Sequence, residues 1–205
     1  MPTALGGRTG AAHPRPSKAD LAAATDRTIP DVLAPALSVL FVGINPGLWS
    51  AATGWHFARP GNRFYPALAA AGITVHLIRA GDGMAEQDRD HLISRGVGIT
   101  NIVPRATARA DEVGAEELRA GARRLEEMIE ALGPRVVAVA GISAYRVGFA
   151  RPKAKLGRQP ERIGGAELWA VPNPSGLNAH HNVASLAAVY RQAALAAGII
   201  PAEPE

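Results

Sequence analysis

Val39-Leu40-Phe41-Val42-Gly43-Ile44-Asn45-Pro46-Gly47 is the stretch that decides how this chain folds. Four apolar residues in a row, closed by a glycine, are the pattern of a strand buried on both faces, as in a parallel sheet. The Gly-Ile-Asn-Pro-Gly that follows is a tight turn, able to expose backbone N–H groups to a ligand. An ordinary strand-ending turn would use the same residues, since Asn-Pro-Gly is common turn chemistry.

Outward from this strand, short apolar runs alternate with helical stretches. Asn62 is placed to cap a helix carrying Phe64, Leu68 and Ala71, which Gly72 stops. Residues 97–103 read as a second strand. Glu116 and Glu117 open an amphipathic helix with Leu118, Leu125, Met128, Ile129 and Leu132 on one face, ended by Gly133-Pro134. Residues 136–140 form a third buried strand, followed from Gly141 by a short helix through Tyr145 and Phe149. Residues 168–171 make a fourth strand, and a last helix runs from about Asn182 to Ala197. This alternation predicts a three-layer α/β/α sandwich with a mainly parallel central sheet and no internal repeat. Sheets of this kind carry their chemistry in loops beyond the carboxyl ends of the strands. Here those loops begin at Gly43, Thr100, Gly141 and Pro172.

The whole chain bounds the possibilities. At 205 residues it has the length of one domain, expected over 31–200, and its 47% apolar content supports a sizeable core. Residues 1–30, rich in Ala, Gly, Pro, Thr and Arg, read as a mobile, slightly basic tail. Arg8, Arg15, Lys18 and Arg27 could slide on a polyanion, and an idle terminus is an equal reading. No run approaches the ~18 apolar residues of a membrane span, and no secretory signal opens the chain, so a cytoplasmic location without membrane contact is expected. With no cysteine, disulfides, thiolate nucleophiles and Cys-ligated metals are excluded. The six histidines show no ligand spacing, so neither a metal nor a cofactor is expected. A net charge of +4 with a pI near 10.0 permits a polyanionic partner without requiring one.

A second unusual loop, Pro172-Asn173-Pro174-Ser175-Gly176-Leu177-Asn178-Ala179-His180, again follows a buried strand. It sets a bulky apolar side chain, Leu177, among residues suited to solvent, as in proteins that push a wedge into a base stack.

Several motifs together resemble the mismatch-specific uracil-DNA and thymine-DNA glycosylases, within the uracil-DNA glycosylase superfamily. They are the run from Gly43 to Leu48, its continuation Thr53-Gly54-Trp55-His56-Phe57-Ala58-Arg59-Pro60-Gly61-Asn62-Arg63-Phe64, then Gly98-Ile99-Thr100-Asn101-Ile102-Val103, and Asn173-Pro174-Ser175-Gly176-Leu177. The similarity runs from about Asp31 to about Ala197. It implies an enzyme that flips a mispaired uracil, and related damaged pyrimidines, out of double-stranded DNA and hydrolyses the base–sugar bond, leaving an abasic site. Unstacking costs a few kcal/mol, least for a mispaired base. A monomer acting without a cofactor is expected.

By this resemblance Asn45 holds the attacking water; its amide can orient water through its oxygen but cannot act as a strong base. Gly43, Ile44, Ser50, His56, Phe57 and Asn101 are the base pocket, with backbone N–H groups near Ile44 and Phe57 receiving charge on the leaving base. Phe57 should stack on that base. Asn101 offers a donor and an acceptor to a pyrimidine edge, unless it caps a turn. Asn173, Ser175, Gly176, Leu177 and Asn178 make the wedge and the opposite-strand contact.

Three readings stay open in the residues themselves. Asp111 is either a general base brought over the pocket by its loop or a helix N-cap. Arg63, Lys153, Lys155 and Arg158 are candidate phosphate contacts, and the dense basic stretch 151–162 reads as a loop. A nucleoside or nucleotide hydrolase on the same fold, or a nucleic-acid-binding module without catalysis, are the rival functions; neither explains Leu177 and Asn45 together.

Overall fold

The computed structural model describes residues 15–201. Five strands form one sheet: β1 (Val39–Gly43), β2 (Val97–Asn101), β3 (Val136–Ala140), β4 (Gly157–Ile163) and β5 (Ala166–Val171). Their order is β2-β1-β3-β5-β4. Every neighbouring pair is parallel except β4 with β5.

Alternation along the strands sorts side chains into two layers. Val39 and Phe41 of β1, with Val136 and Ala138 of β3, meet α3 (Phe64–Ala70), α4 (Glu86–Ser94) and α7 (Val183–Ala196) through Leu68, Leu92 and Tyr190. Leu40, Val42, Val137 and Val139 face α5 (Ala115–Leu132) and α6 (Ile142–Gly148) through Leu125, Ile129 and Tyr145. The expected three-layer sandwich is therefore present, with all of β1, β2 and β3 buried. The expected cap Asn182 is kept, accepting from the Ser185 N–H at 2.9 Å, whereas α3 starts one residue later than expected, with Arg63 as its N-cap and Asn62 Oδ1 accepting from the Phe64 N–H at 2.9 Å. Gly133 ends α5 at φ 59. On α5, a Cβ at Gly121 would collide with the Ile102 carbonyl, so only glycine lets this helix lie so close to the end of β2.

The structure departs from the sequence reading in several places. The second strand stops at Asn101 rather than 103, and the fourth begins at Ala166 rather than 168. The basic stretch read as a loop contains β4, whose Pro160 and charged residues fit an edge strand paired on one side only. Within the presumed tail, residues 1–14 lie outside the described residues. Residues 17–31 are not a free arm. Ser17 and Asp20 form a reciprocal cap on α1 (Lys18–Ala23), and Ala24 is fully buried against Ala51 and Ala106. A run of small residues can be buried against other small residues, and this is what composition alone conceals.

Candidate active site

The carboxyl ends of β1 and β2 open into a cleft of about 550 Å³. Gly43 pairs with Asn101 across the two strands, so the turn after β1 and the last residue of β2 face each other there. Beyond β1 the turn feeds α2 (Leu48–Thr53), with Gly47 as its N-cap.

Asn45 is fixed by its amide nitrogen. Nδ2 donates to Thr107 Oγ1 at 2.7 Å, to the Arg105 carbonyl at 3.1 Å and to the Pro46 carbonyl at 3.2 Å. Thr107 Oγ1 spends its own hydrogen on the Arg109 carbonyl at 2.7 Å, so towards Asn45 it can only accept. These acceptors determine which end of the amide is nitrogen. Asn45 Oδ1 accepts no hydrogen bond among the described residues and is left to the cleft that Asn45 lines.

A second chain of hydrogen bonds orients Asn101. His56 Nε2 lies 3.0 Å from the Pro30 carbonyl, which can only accept, so Nε2 carries the proton and Nδ1 is a lone pair. Asn101 Nδ2 therefore donates to His56 Nδ1, at 3.1 Å. Burial holds the His56 pKa below its ordinary value, against the opposing pull of Asp31 at 3.9 Å and of the Pro30 carbonyl. Asn101 Oδ1 stands over Gly43, where a Cβ would collide with it and would come 3.2 Å from the Phe57 ring. The turn-capping alternative for Asn101 is not what the side chain does.

Phe57 adopts φ 53, a strained value for a residue with a side chain, and lines the cleft. Its ring stacks on Phe64 at 4.1 Å and 25°, so one face is covered and one remains for a ligand. Buried Ser50 accepts from the Ala58 N–H at 3.2 Å, which ties α2 to the segment after Phe57. Ile44 lines the same cleft.

Asp111 is the carboxylate on the cleft wall among the described residues. It does not cap the long helix, whose N-cap is Gly114. Instead it sits in a short 3-10 turn, paired with Arg109 at 2.6 Å. The Arg109 hydrogen bonds hold its pKa below the usual carboxylate range, so it is ionised at neutral pH.

The loop after β5 is wound around Arg63. The guanidinium donates to the carbonyls of His181 at 2.7 Å, Asn178 at 2.9 Å, Gly176 at 3.1 Å and Ser175 at 3.3 Å. The Arg63 N–H donates to the Pro174 carbonyl at 2.9 Å. Within the loop, Asn173 Oδ1 accepts from Ser175 N–H, and Asn178 Nδ2 donates to the Asn173 carbonyl. Leu177 projects from this frame 77% exposed, and it lines the cleft edge. Arg63 is thus not a free phosphate contact: Nη1 and Nη2 are turned onto the loop, where the carbonyls of Gly176, Asn178 and His181 have no other donor among the described residues and that of Ser175 also accepts from the Asn178 N–H.

Of the remaining candidate phosphate contacts, Arg158 pairs with Glu167 at 2.9 Å, whereas Lys153 and Lys155 are exposed. Gly157 pairs with Ala170 near the carboxyl end of β5, so the segment before β4 emerges at the same carboxyl end of the sheet as the cleft, across the sheet from β2. No group of three or more His, Cys, Asp or Glu placed to hold a metal ion occurs among the described residues. Sequence reasoning missed Thr107, Arg105 and Pro30, which act through a hydroxyl or a backbone carbonyl. For Thr107 the available signal was its place just past the end of β2.

The model of the uracil DNA glycosylase superfamily matches residues 30–194, which include every strand and every cleft residue described above. The chain belongs to the uracil DNA glycosylase superfamily. In fold, this superfamily member is similar to the solution structure of a candidate uracil DNA glycosylase from Methanosarcina acetivorans. The TM-score is 0.57 at 21% identity, over 82% of this chain and 97% of that one.

Proposed function

We propose that the chain is a monofunctional glycosylase of the mismatch-specific uracil/thymine type, excising uracil from mispaired duplex DNA by base flipping. The observation that carries this reading is Asn45, whose nitrogen is fully engaged while its oxygen is left to the cleft. That oxygen accepts a hydrogen bond from water and aims the water's lone pair at C1′ of a flipped deoxyuridine. As the C1′–O bond forms, the C1′–N1 bond breaks and its electron pair leaves with the base. Backbone N–H groups near Ile44 and Phe57 receive the resulting anion. The water's proton passes to Asp111, ionised at the cleft wall, or to solvent.

Base recognition has matching support. Asn101 presents Oδ1 to the N3–H of uracil and keeps one N–H for O4, while the free face of Phe57 stacks on the ring. A Cβ at Gly47 would meet nothing within 4 Å, which supports room for pyrimidines wider than uracil. Leu177 fills the gap in the stack, and Lys153 and Lys155, at the same carboxyl end of the sheet, are placed for phosphates farther along the duplex.

The test is an end-labelled duplex with one U·G pair, excess enzyme and hot alkali to reveal abasic sites. Breaks at the uracil should fall by about 100-fold or more for Asn45→Ala, with DNA binding kept. Hydrolysis of free uridine with no cleavage of the duplex would transfer the reading to a nucleoside hydrolase.

A further inference from the structure

We infer that residues 24–31 form a strap that positions both cleft carboxamides, Asn45 and Asn101, and so serves catalysis without lining the cleft. This rests on the glycosylase reading above. The family match begins at residue 30, so Ala24, Asp26 and Arg27 stand outside the superfamily frame.

One end of the strap acts on Asn45. The Asp26 N–H donates to the Ala106 carbonyl at 2.9 Å, and the Ala106 N–H donates to the Arg27 carbonyl at 2.9 Å. Both backbone polar groups of Ala106 are therefore held by the strap. Its two neighbours, Arg105 and Thr107, supply acceptors for Asn45 Nδ2. The Arg105 side chain adds a second tie, to Asp26 at 3.1 Å, while Glu117 of α5 anchors it from behind at 2.6 Å. Asp26 holds φ 60, in the left-handed region that aspartate tolerates better than most residues. Ala24, fully buried against Ala51 and Ala106, closes the apolar side of the contact.

The other end acts on Asn101. The Pro30 carbonyl sets the tautomer of His56, and that tautomer sets which end of the Asn101 amide is held. Val32 exchanges N–H···O bonds of 2.9 and 2.8 Å with Ile99, two residues before Asn101, so the strap stays in register with the end of β2. If Pro30 withdraws, the imidazole is free to place its proton on Nδ1. Asn101 then has to turn its oxygen inward to accept, and the pyrimidine meets a donor where N3–H needs an acceptor. If Ala106 is released, Arg105 and Thr107 move away from Asn45 and its oxygen no longer aims the water.

Two variants release the strap by different routes. Ala24→Glu places a charge in the buried alanine contact. Asp26→Pro removes the N–H that Ala106 accepts and cannot adopt φ 60. Amide hydrogen exchange at Ala106 reports release, and circular dichroism sets a temperature at which each variant is folded. On the U·G duplex, the single-turnover rate constant should drop by about tenfold or more, as small misplacements of reacting groups do. Affinity for a duplex carrying 2′-fluoro-deoxyuridine opposite guanine, which resists cleavage, should stay within about threefold, and Ala24→Ser should restore the rate. A parent-like rate with Ala106 in free exchange would overturn the inference, as would rate and affinity falling together. If the parent cleaves no uracil substrate, the glycosylase reading fails by itself. The strap is then judged by the side-chain amide NMR signals of Asn45 and Asn101, which the inference requires to shift in both variants; unmoved signals would overturn it.

Discussion

Replacing Arg63 by Met keeps much of the aliphatic stem and removes the guanidinium around which the loop after β5 is wound. A hydrogen bond from a charged donor contributes about 1.5–3 kcal/mol net when well formed. The bonds to His181 and Asn178, at 2.7 and 2.9 Å, are the two best formed. Discounting for the part-exposed side chain, their joint loss weakens loop ordering by about 2–3 kcal/mol. If Leu177 must be held in place to keep the nucleotide flipped, that deficit appears in the flipped complex. The single-turnover rate on a U·G duplex should then fall by about 30- to 150-fold. The assay also separates the clamp from a phosphate contact through salt. Loss of a phosphate contact reduces the slope of log K against log salt by about 0.9, whereas loss of the clamp leaves it unchanged. A slope reduced by about one with a near-normal saturated rate would refute the clamp and return Arg63 to the phosphate backbone.

Gly43→Ala should abolish cleavage while the protein stays folded, because the new methyl displaces Asn101 Oδ1, a movable side-chain end, and presses on Phe57; thermal melting and the U·G assay on one preparation check this. Leu177→Ala should leave the melting temperature unchanged, since the side chain is 77% exposed, yet slow cleavage of paired more than single-stranded uracil DNA. His56 has a folded pKa below its unfolded value, so its neutral form favours folding above pH about 6.5, and that contribution is lost as pH falls from there through the folded pKa. Chemical denaturation across pH 5–8 should show this acid-side loss, reduced in His56→Gln. Cleavage should hold through the start of that loss and fall only once the pH reaches the lowered folded-state pKa, where protonated Nδ1 no longer accepts from Asn101.

The strands β1 and β3, buried on both faces, were legible as uninterrupted apolar runs, and β2 and β5 as shorter apolar runs interrupted by Thr100 and Asn101 or preceded by Glu167. Strand β4 was not, because an edge strand with Pro160, Arg158 and Arg162 satisfies its polar side chains in solvent or on Glu167. The helix α4, with Leu92 and Ile93 as its apolar residues, lacks a periodic stripe for the same reason.

Within the cleft, the sequence by itself determined which residues stand beyond the strand ends, because a turn rich in Gly, Asn and Pro after a buried strand can lie nowhere else. Asn45 and Leu177 stand on that rim by this rule, whereas Phe57 and the base-facing role of Asn101 rested on the resemblance to the glycosylase family. What each amide faces was decided only by the tertiary structure. Asn45 takes its partners 60 and 62 residues away, and Arg63 reaches carbonyls 112 to 118 residues on. Backbone carbonyls have the same chemistry whatever side chain they belong to. A contact made through the carbonyl of Pro30, Arg105 or Gly176 therefore leaves no mark in residue type, and exists only where folding brings distant segments together.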